Sequence, residues 1–189
     1  MQSKTTDKVV TGEFRVSFPS VFKATAVNPG DAEKYSITML IPKSDKKTIA
    51  DITALLTRTL TAKWGADKNK WPKNMKKVIR DGDEEYPERD GYPGHYFIAA
   101  RNKSKPRVVD TQNQDILDEN DFYAGCYARA SLTAFCYDKG VNKGVALSLQ
   151  NVQKLRDGDR FTSRSKPEDD FGPAATPAGA EEASDSDML

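Results

Sequence analysis

Along residues 12–18 the side chains alternate: Phe14, Val16 and Phe18 fall on one side, and Glu13, Arg15 and Ser17 on the other. The same period of two recurs over 35–41, where Tyr35, Ile37, Met39 and Ile41 share a face. Both stretches predict half-buried strands, because successive side chains of an extended chain point to opposite faces. Pro42 stops the second strand, and the period then changes. Ile49, Ile52, Leu55, Leu56 and Leu60 recur at three- and four-residue spacing, which predicts a helix capped by Ser44 or Asp45 and stopped by Gly65. From 66 to 94 no period survives among the turn formers and charges, so a long irregular loop is expected. Strands resume at 95–101, 107–110, 125–138 and 144–154, the last two joined by a hairpin-like "DKGVNKG". The order, two strands, a helix, a long loop and four strands, predicts a mainly β domain that hides its sheet edges by closing into a small barrel.

Charge adds an asymmetry. The 189 residues carry a formal net charge of +1, yet residues 167–189 hold seven of the 28 acids and none of the 29 Lys and Arg. The first 166 residues therefore carry 21 acids against 29 cations, a net of +8. A basic domain of this kind favours an anionic partner, of which nucleic acid is the commonest. The segment 167–189, rich in Pro, Ala, Gly, Ser and acids, cannot bury enough apolar surface to fold and is expected to be a disordered acidic tail appended to a domain at 1–166.

The strand at 125–138 offers a candidate surface. Its even positions, from Cys126 to Cys136, are apolar and mostly small, and suit a tight barrel interior. Its odd positions include Tyr127, Arg129, Phe135 and Tyr137, a face suited to stacking unpaired bases and meeting phosphate if no helix or loop covers it. Two basic runs accompany it. "KWGADKNKWPKNMKKVIR" sets Lys70, Lys73, Lys76 and Lys77 around Trp71, and "RNKSKPR" puts Arg101, Lys103, Lys105 and Arg107 at every second position, on one side of an extended chain. Rows of cations with interspersed aromatics follow a sugar-phosphate chain.

Catalytic chemistry finds little footing. The acids of "RDGDEEYPERD" are consecutive in a Gly- and Pro-rich loop, whereas metal-dependent nuclease chemistry needs carboxylates converging from ordered elements. His95 is the single histidine, Cys126 and Cys136 lie too far apart along one strand for a mutual disulfide, and no glycine-rich phosphate loop occurs. No cofactor, metal or catalytic residue is expected. Without an apolar run of roughly 20 residues or a signal-like start, the chain is expected to act away from membranes, in the cytoplasm.

The segments "EKYSITMLIPKSD", "IRDGDEEYPERDGYPGHYFIAARNKSKPRVVD", "FYAGCYARASLTAFCYD" and "NKGVALSLQNVQKLRDGD", followed by "PEDDF", occur in that order. Together they resemble the single-stranded DNA-binding protein family of tailed phages and prophages. The resemblance implies an OB-fold, a five-stranded Greek-key β-barrel, that binds single-stranded DNA without sequence preference in replication, recombination and repair inside the bacterial host. It also implies an acidic C-terminal tail. On the face argument, the expected DNA contacts are Tyr127, Arg129, Phe135, Tyr137, Arg101, Lys103, Lys105, Arg107, Lys70, Trp71, Lys73, Lys76 and Lys77. The tail tip, Asp185, Asp187, Met188 and Leu189, is expected to engage replication or recombination proteins. A homodimer is compatible with this reading. A strand-annealing recombination protein and a recruiting factor that acts through the tail are the alternatives.

Overall fold

Alternation becomes eight strands in one sheet, and five of those strands close on themselves. The computed structural model describes residues 7–161 and Gly172. In chain order the elements are β1 (Val9–Val10), β2 (Phe14–Thr25), β3 (Lys34–Pro42), α1 (Lys46–Trp64), β4 (Ile79–Asp81), α2 (Gly82–Glu85), β5 (His95–Asn102), β6 (Arg107–Val109), β7 (Tyr127–Lys139) and β8 (Asn142–Arg156). Strand β2 pairs antiparallel with β3, and β3 with β5. Strand β5 runs parallel to β8, β8 antiparallel to β7, and β7 returns to β2. This circuit of five is the OB-fold barrel, with α1 inserted between its second and third strands.

The interior follows the period of two. Phe14 and Val16 of β2, Ile37, Met39 and Ile41 of β3, Ile98 and Ala100 of β5, Ala128, Ala130 and Leu132 of β7, and Leu147 and Leu149 of β8 are all buried. Small residues on β7 let the barrel close tightly. Helix α1 packs its stripe of Ile52, Leu55, Leu56 and Leu60 into the same core. It contains five threonines, each costing up to about 0.7 kcal/mol against alanine in a helix. Burial of each large aliphatic side chain contributes roughly 1.5 to 3 kcal/mol and outweighs that cost. The Asp45 carboxylate caps α1 by accepting from the Thr48 amide at 3.1 Å. Gly65 ends it at φ 87°, a left-handed conformation that glycine adopts freely.

Three expectations differ from the structure. Phe18 does not join Phe14 and Val16 inside. The pairing of β2 with β3 slips between Ser17 and Ser20, Phe18 takes φ 44°, and its side chain is 65% exposed. A bulge inserts an extra residue and re-aims its side chain, so alternation cannot be extrapolated through it. The loop at 66–94 is not structureless either: it holds a short 3-10 turn at Lys68–Lys70, β4 paired to β5, and α2. Strand β1, only two residues long and paired to β7, carries too few positions to show a period. The hairpin between β7 and β8 is tighter than expected, with only residues 140–141 between the paired Lys139 and Asn142. The boundary at 166/167 and the acidic tail lie outside the described residues.

The loop that carries β4 is pinned by charge. Lys43, just beyond β3, reaches Asp81 at 2.7 Å and Asp83 at 2.8 Å, and Asp83 also accepts from the Gly94 amide. Hydrogen bonds to Asp81 and then Asp83 raise the Lys43 pKa, while the same lysine holds both carboxyls below their ordinary range. The stabilisation from the depressed carboxyls is complete above the unfolded carboxylate value, about 3.9, and is lost as pH falls through their lower folded values. The contribution from the raised lysine persists until pH climbs beyond the unfolded lysine value, about 10.4. Lys43→Met should therefore lower the urea midpoint across the neutral range, and its gap to the unaltered protein should narrow as pH drops below about 4. A gap independent of pH would show that the ion pairs do not act as described.

Candidate functional site

The outer faces of four adjacent strands form one surface. On β3, Ser36 and Thr38 point out opposite Arg101 and Ala99 of β5. On β7, Phe135 and Tyr137 point out opposite Ala146 and Gly144 of β8. Strand β5 gives one edge first to β4, through residues 96–98, and then to β8, through residues 100–101. A groove of about 520 Å³ opens where that edge changes hands. The segment with Lys76, Lys77, Val78 and Arg80 lines one side, Phe135, Tyr137 and Lys139 line the other, and Ala99, Ala146 and Arg101 lie between, with Lys34, Phe97, Val145 and Leu147 completing the lining.

Charge in this groove is one-sided. Six cations line it, Lys34, Lys76, Lys77, Arg80, Arg101 and Lys139, and no acid does. Arg80 pairs with Glu85 and stacks over Phe97 at 4.6 Å from the ring centroid. The other five have no ion-pair partner among the described residues, although eight salt bridges occur elsewhere. Unpaired cations packed together repel one another, so an anion entering the groove removes a standing electrostatic cost. Phe135 is 45% exposed beside them, and Tyr137 lies across Gly144, where a Cβ would stand 2.6 Å from the tyrosine hydroxyl oxygen. Glycine at this strand position leaves room for the ring to lie flat. The neighbouring loop ends add exposed Val27 and Val141.

The sequence-predicted residues divide. Phe135, Tyr137, Arg101, Lys76 and Lys77 meet in the groove. Tyr127 and Arg129 do not. Eight residues of strand separate Tyr127 from Phe135, roughly 26 Å at 3.3 Å each, and register slips after Tyr127 and after Ser131 turn the strand around the barrel. The Arg156 guanidinium stacks on Tyr127 at 3.6 Å and pairs with Glu13, while Arg129 donates to the Gln153 side chain at 2.6 Å. The row Arg101, Lys103, Lys105, Arg107 is also broken. The Asn102 side chain accepts from the Ser104 amide and donates to the Leu149 carbonyl, so the chain turns at once. Lys103 and Lys105 stay exposed on that turn, and Arg107 pairs with Asp115 at 2.8 Å. Trp71 is half-buried against the core, with its indole N–H donated to the Gly65 carbonyl, and Lys70 and Lys73 flank it outside the groove. The tail residues Asp185, Asp187, Met188 and Leu189 lie outside the described residues.

Arg80, Lys139, Lys34 and Phe97 were missed, and all but Lys34 had a legible signal: Arg80 closes the basic run that holds Lys76 and Lys77. Lys139 continues the outward series Phe135, Tyr137 by one step, and Phe97, Ala99 and Arg101 alternate along β5. Three of the six acids of the 80–90 loop serve structure: Asp81 and Asp83 hold Lys43, and Glu85 holds Arg80. No group of three metal-ligating side chains occurs among the described residues, and no helix among them is long and apolar enough to cross a membrane. Burial raises the Cys126 and Cys136 thiols above the ordinary value, and both are free cysteines.

The sequence profile of the family described as "Enterobacter phage Enc34, ssDNA-binding protein" matches residues 7–189. The chain belongs to the Enc34 single-stranded DNA-binding protein family. A relative, putative protein p50 of Acyrthosiphon pisum secondary endosymbiont phage 1, is 35% identical over 168 residues, 82% of this chain and 86% of that protein. The single-stranded DNA-binding protein of bacteriophage Enc34, solved in complex with ssDNA, superposes with TM-score 0.67 at 23% identity, covering 84% of this chain and 91% of that one. Gp2.5, a single-stranded DNA-binding protein encoded by bacteriophage T7, gives TM-score 0.59 at 13% identity, covering 88% and 99%. At these identities the two structures show a shared fold. Within this Enc34-family barrel, Gly144→Ala should destabilise by about 1 to 3 kcal/mol through overpacking. Adding Tyr137→Ala should recover most of the loss in a denaturant double-mutant cycle, whereas simple additivity would show that the ring does not occupy that space.

Proposed function

We propose that this protein binds single-stranded DNA without sequence preference, coating and protecting it during phage replication, recombination and repair inside the host cell. One observation carries the reading: six cations and no acid line a groove, beside outward-facing Phe135 and Tyr137, on an OB-fold barrel. The face of the second and third barrel strands, with its flanking loops, is where this fold takes up oligonucleotides. Membership of the Enc34 family and a structural relative solved with ssDNA agree with it.

The mechanism follows from the two kinds of side chain. Lys34, Lys76, Lys77, Arg101 and Lys139 draw in the phosphates, and binding releases the counterions condensed on them. Phe135 and Tyr137 stack on bases, a contact worth roughly 1 to 3 kcal/mol per base and indifferent to base identity. Duplex DNA binds less well because its bases are already stacked on each other. The seven acids of residues 167–189 carry the charge of a phosphate chain. We extend the reading to them: they compete for the cationic groove, and DNA binding releases the terminal Asp185, Asp187, Met188 and Leu189 to replication or recombination proteins.

If these five groove cations meet phosphate, the log-log salt dependence of oligothymidine affinity should have a slope of about −3.5, from about 0.7 per phosphate. Lys76→Ala combined with Lys77→Ala should make the slope shallower by about 1.4. A fluorescence anisotropy titration across salt concentrations checks both. An unchanged slope in the folded double variant would remove these lysines from the interface.

A further inference from the structure

Phe18 is the feature of the barrel that its packing least explains. It is an aromatic residue 65% exposed, and it is held at φ 44°, a left-handed conformation that non-glycine residues adopt only at a cost. Alternation would have buried it beside Val16; the bulge in β2 turns it out. Arg89 stands beside it, 5.7 Å from the ring centroid.

These two residues end a stacked series that begins in the groove. Arg80 lies over Phe97 at 4.6 Å, and Phe97 meets Tyr86 at 5.4 Å. Arg89 covers Tyr86 at 4.0 Å, and Phe18 follows. Tyr92 supports the series from below, touching Tyr86 and Phe97 and sharing a hydrogen bond with Ser17, the residue before Phe18. Arg89 has no ion-pair partner among the described residues, although Glu88 and Asp90 adjoin it in sequence. Contacts of 5.4, 4.0 and 5.7 Å link Phe97 to Tyr86, Tyr86 to Arg89 and Arg89 to Phe18 in turn, so Phe18 lies beyond the groove lining, at the far end of the stacked series.

We propose that Phe18 and Arg89 form a second nucleotide station on the same DNA track. A strand leaving the groove over Phe97 and Arg80 stacks a base on Phe18, and Arg89 contributes its guanidinium face and its charge. The bulge holds the aromatic ring ready in solvent, so no rearrangement is needed on binding. This rests on the single-stranded DNA reading of the groove and extends it to a second rim.

The test uses the full-length protein and a ladder of oligothymidines from about 4 to 16 nucleotides, the span known for single OB-folds. Phe18→Ala should weaken binding of the longest oligonucleotide by about 5- to 150-fold, the loss of one base stack, and leave the shortest unaffected. Phe18→Trp should restore it. Melting temperature should not fall in Phe18→Ala, because the core does not use this ring; should it fall, Arg89→Gln is read on the same ladder, with a long-oligonucleotide loss expected. Phe135→Ala combined with Tyr137→Ala should weaken binding at every length. Loss in that variant with full 16-mer affinity in both Phe18→Ala and Arg89→Gln would overturn the second station and leave the groove standing. Equal loss at all lengths in Phe18→Ala would also overturn it, by placing Phe18 in the first contact. No loss in any of these variants would overturn both readings.

Discussion

Strand β5 changes partner along one edge, and the candidate site depends on that change. At residues 96–98 its neighbour is β4, and at residues 100–101 it is β8. On its other edge β3 pairs along the whole strand, whereas here β4 arrives antiparallel from the long loop and β8 arrives parallel to close the barrel. The gap between them is the groove: Arg80 on β4 and Phe135, Tyr137 and Lys139 on β7 sit on paired backbone, and Lys76, Lys77 and Val78 lead directly into β4. Side chains on paired strands cost less to order than side chains on a free loop, which favours a preformed surface.

The walls are held from outside as well. Lys43 ties the β4 loop to the end of β3, and Arg80 ties Glu85 while stacking on Phe97. Exposed ion pairs of this kind are individually worth little. Here their effect is positional, keeping Lys76 and Lys77 alongside the hairpin that carries Phe135 and Tyr137. Three arginines elsewhere on the barrel show the contrast. Arg58, Arg107 and Arg156 are each neutralised by a nearby carboxylate, and the groove cations other than Arg80 are left to whatever enters.

Much of the fold was legible because period and punctuation agree with it. Alternation located the interior of β3 and β7, the three- and four-residue spacing located α1, and Gly65 marked its end. The failures share a cause: each required knowing what a segment meets in three dimensions. A bulge defeated alternation at Phe18, and a 13-residue strand that winds around a barrel carried Tyr127 and Arg129 away from Phe135 and Tyr137. Charge runs told even less about position. "RNKSKPR" reads as a row only if the chain stays extended, and the Asn102 turn prevents that. Trp71 looked like a stacking residue, yet it covers the end of α1 and packs on the core.

The central claim is that bases stack on the hairpin face that carries Phe135 and Tyr137. Ultraviolet cross-linking of a bound oligothymidine, with the adducts mapped on tryptic peptides by mass spectrometry, addresses it directly. The account predicts adducts at Phe135 or Tyr137, in the peptide that begins after Arg129. Adducts confined to Tyr127 or Trp71, with none on that hairpin, would contradict it.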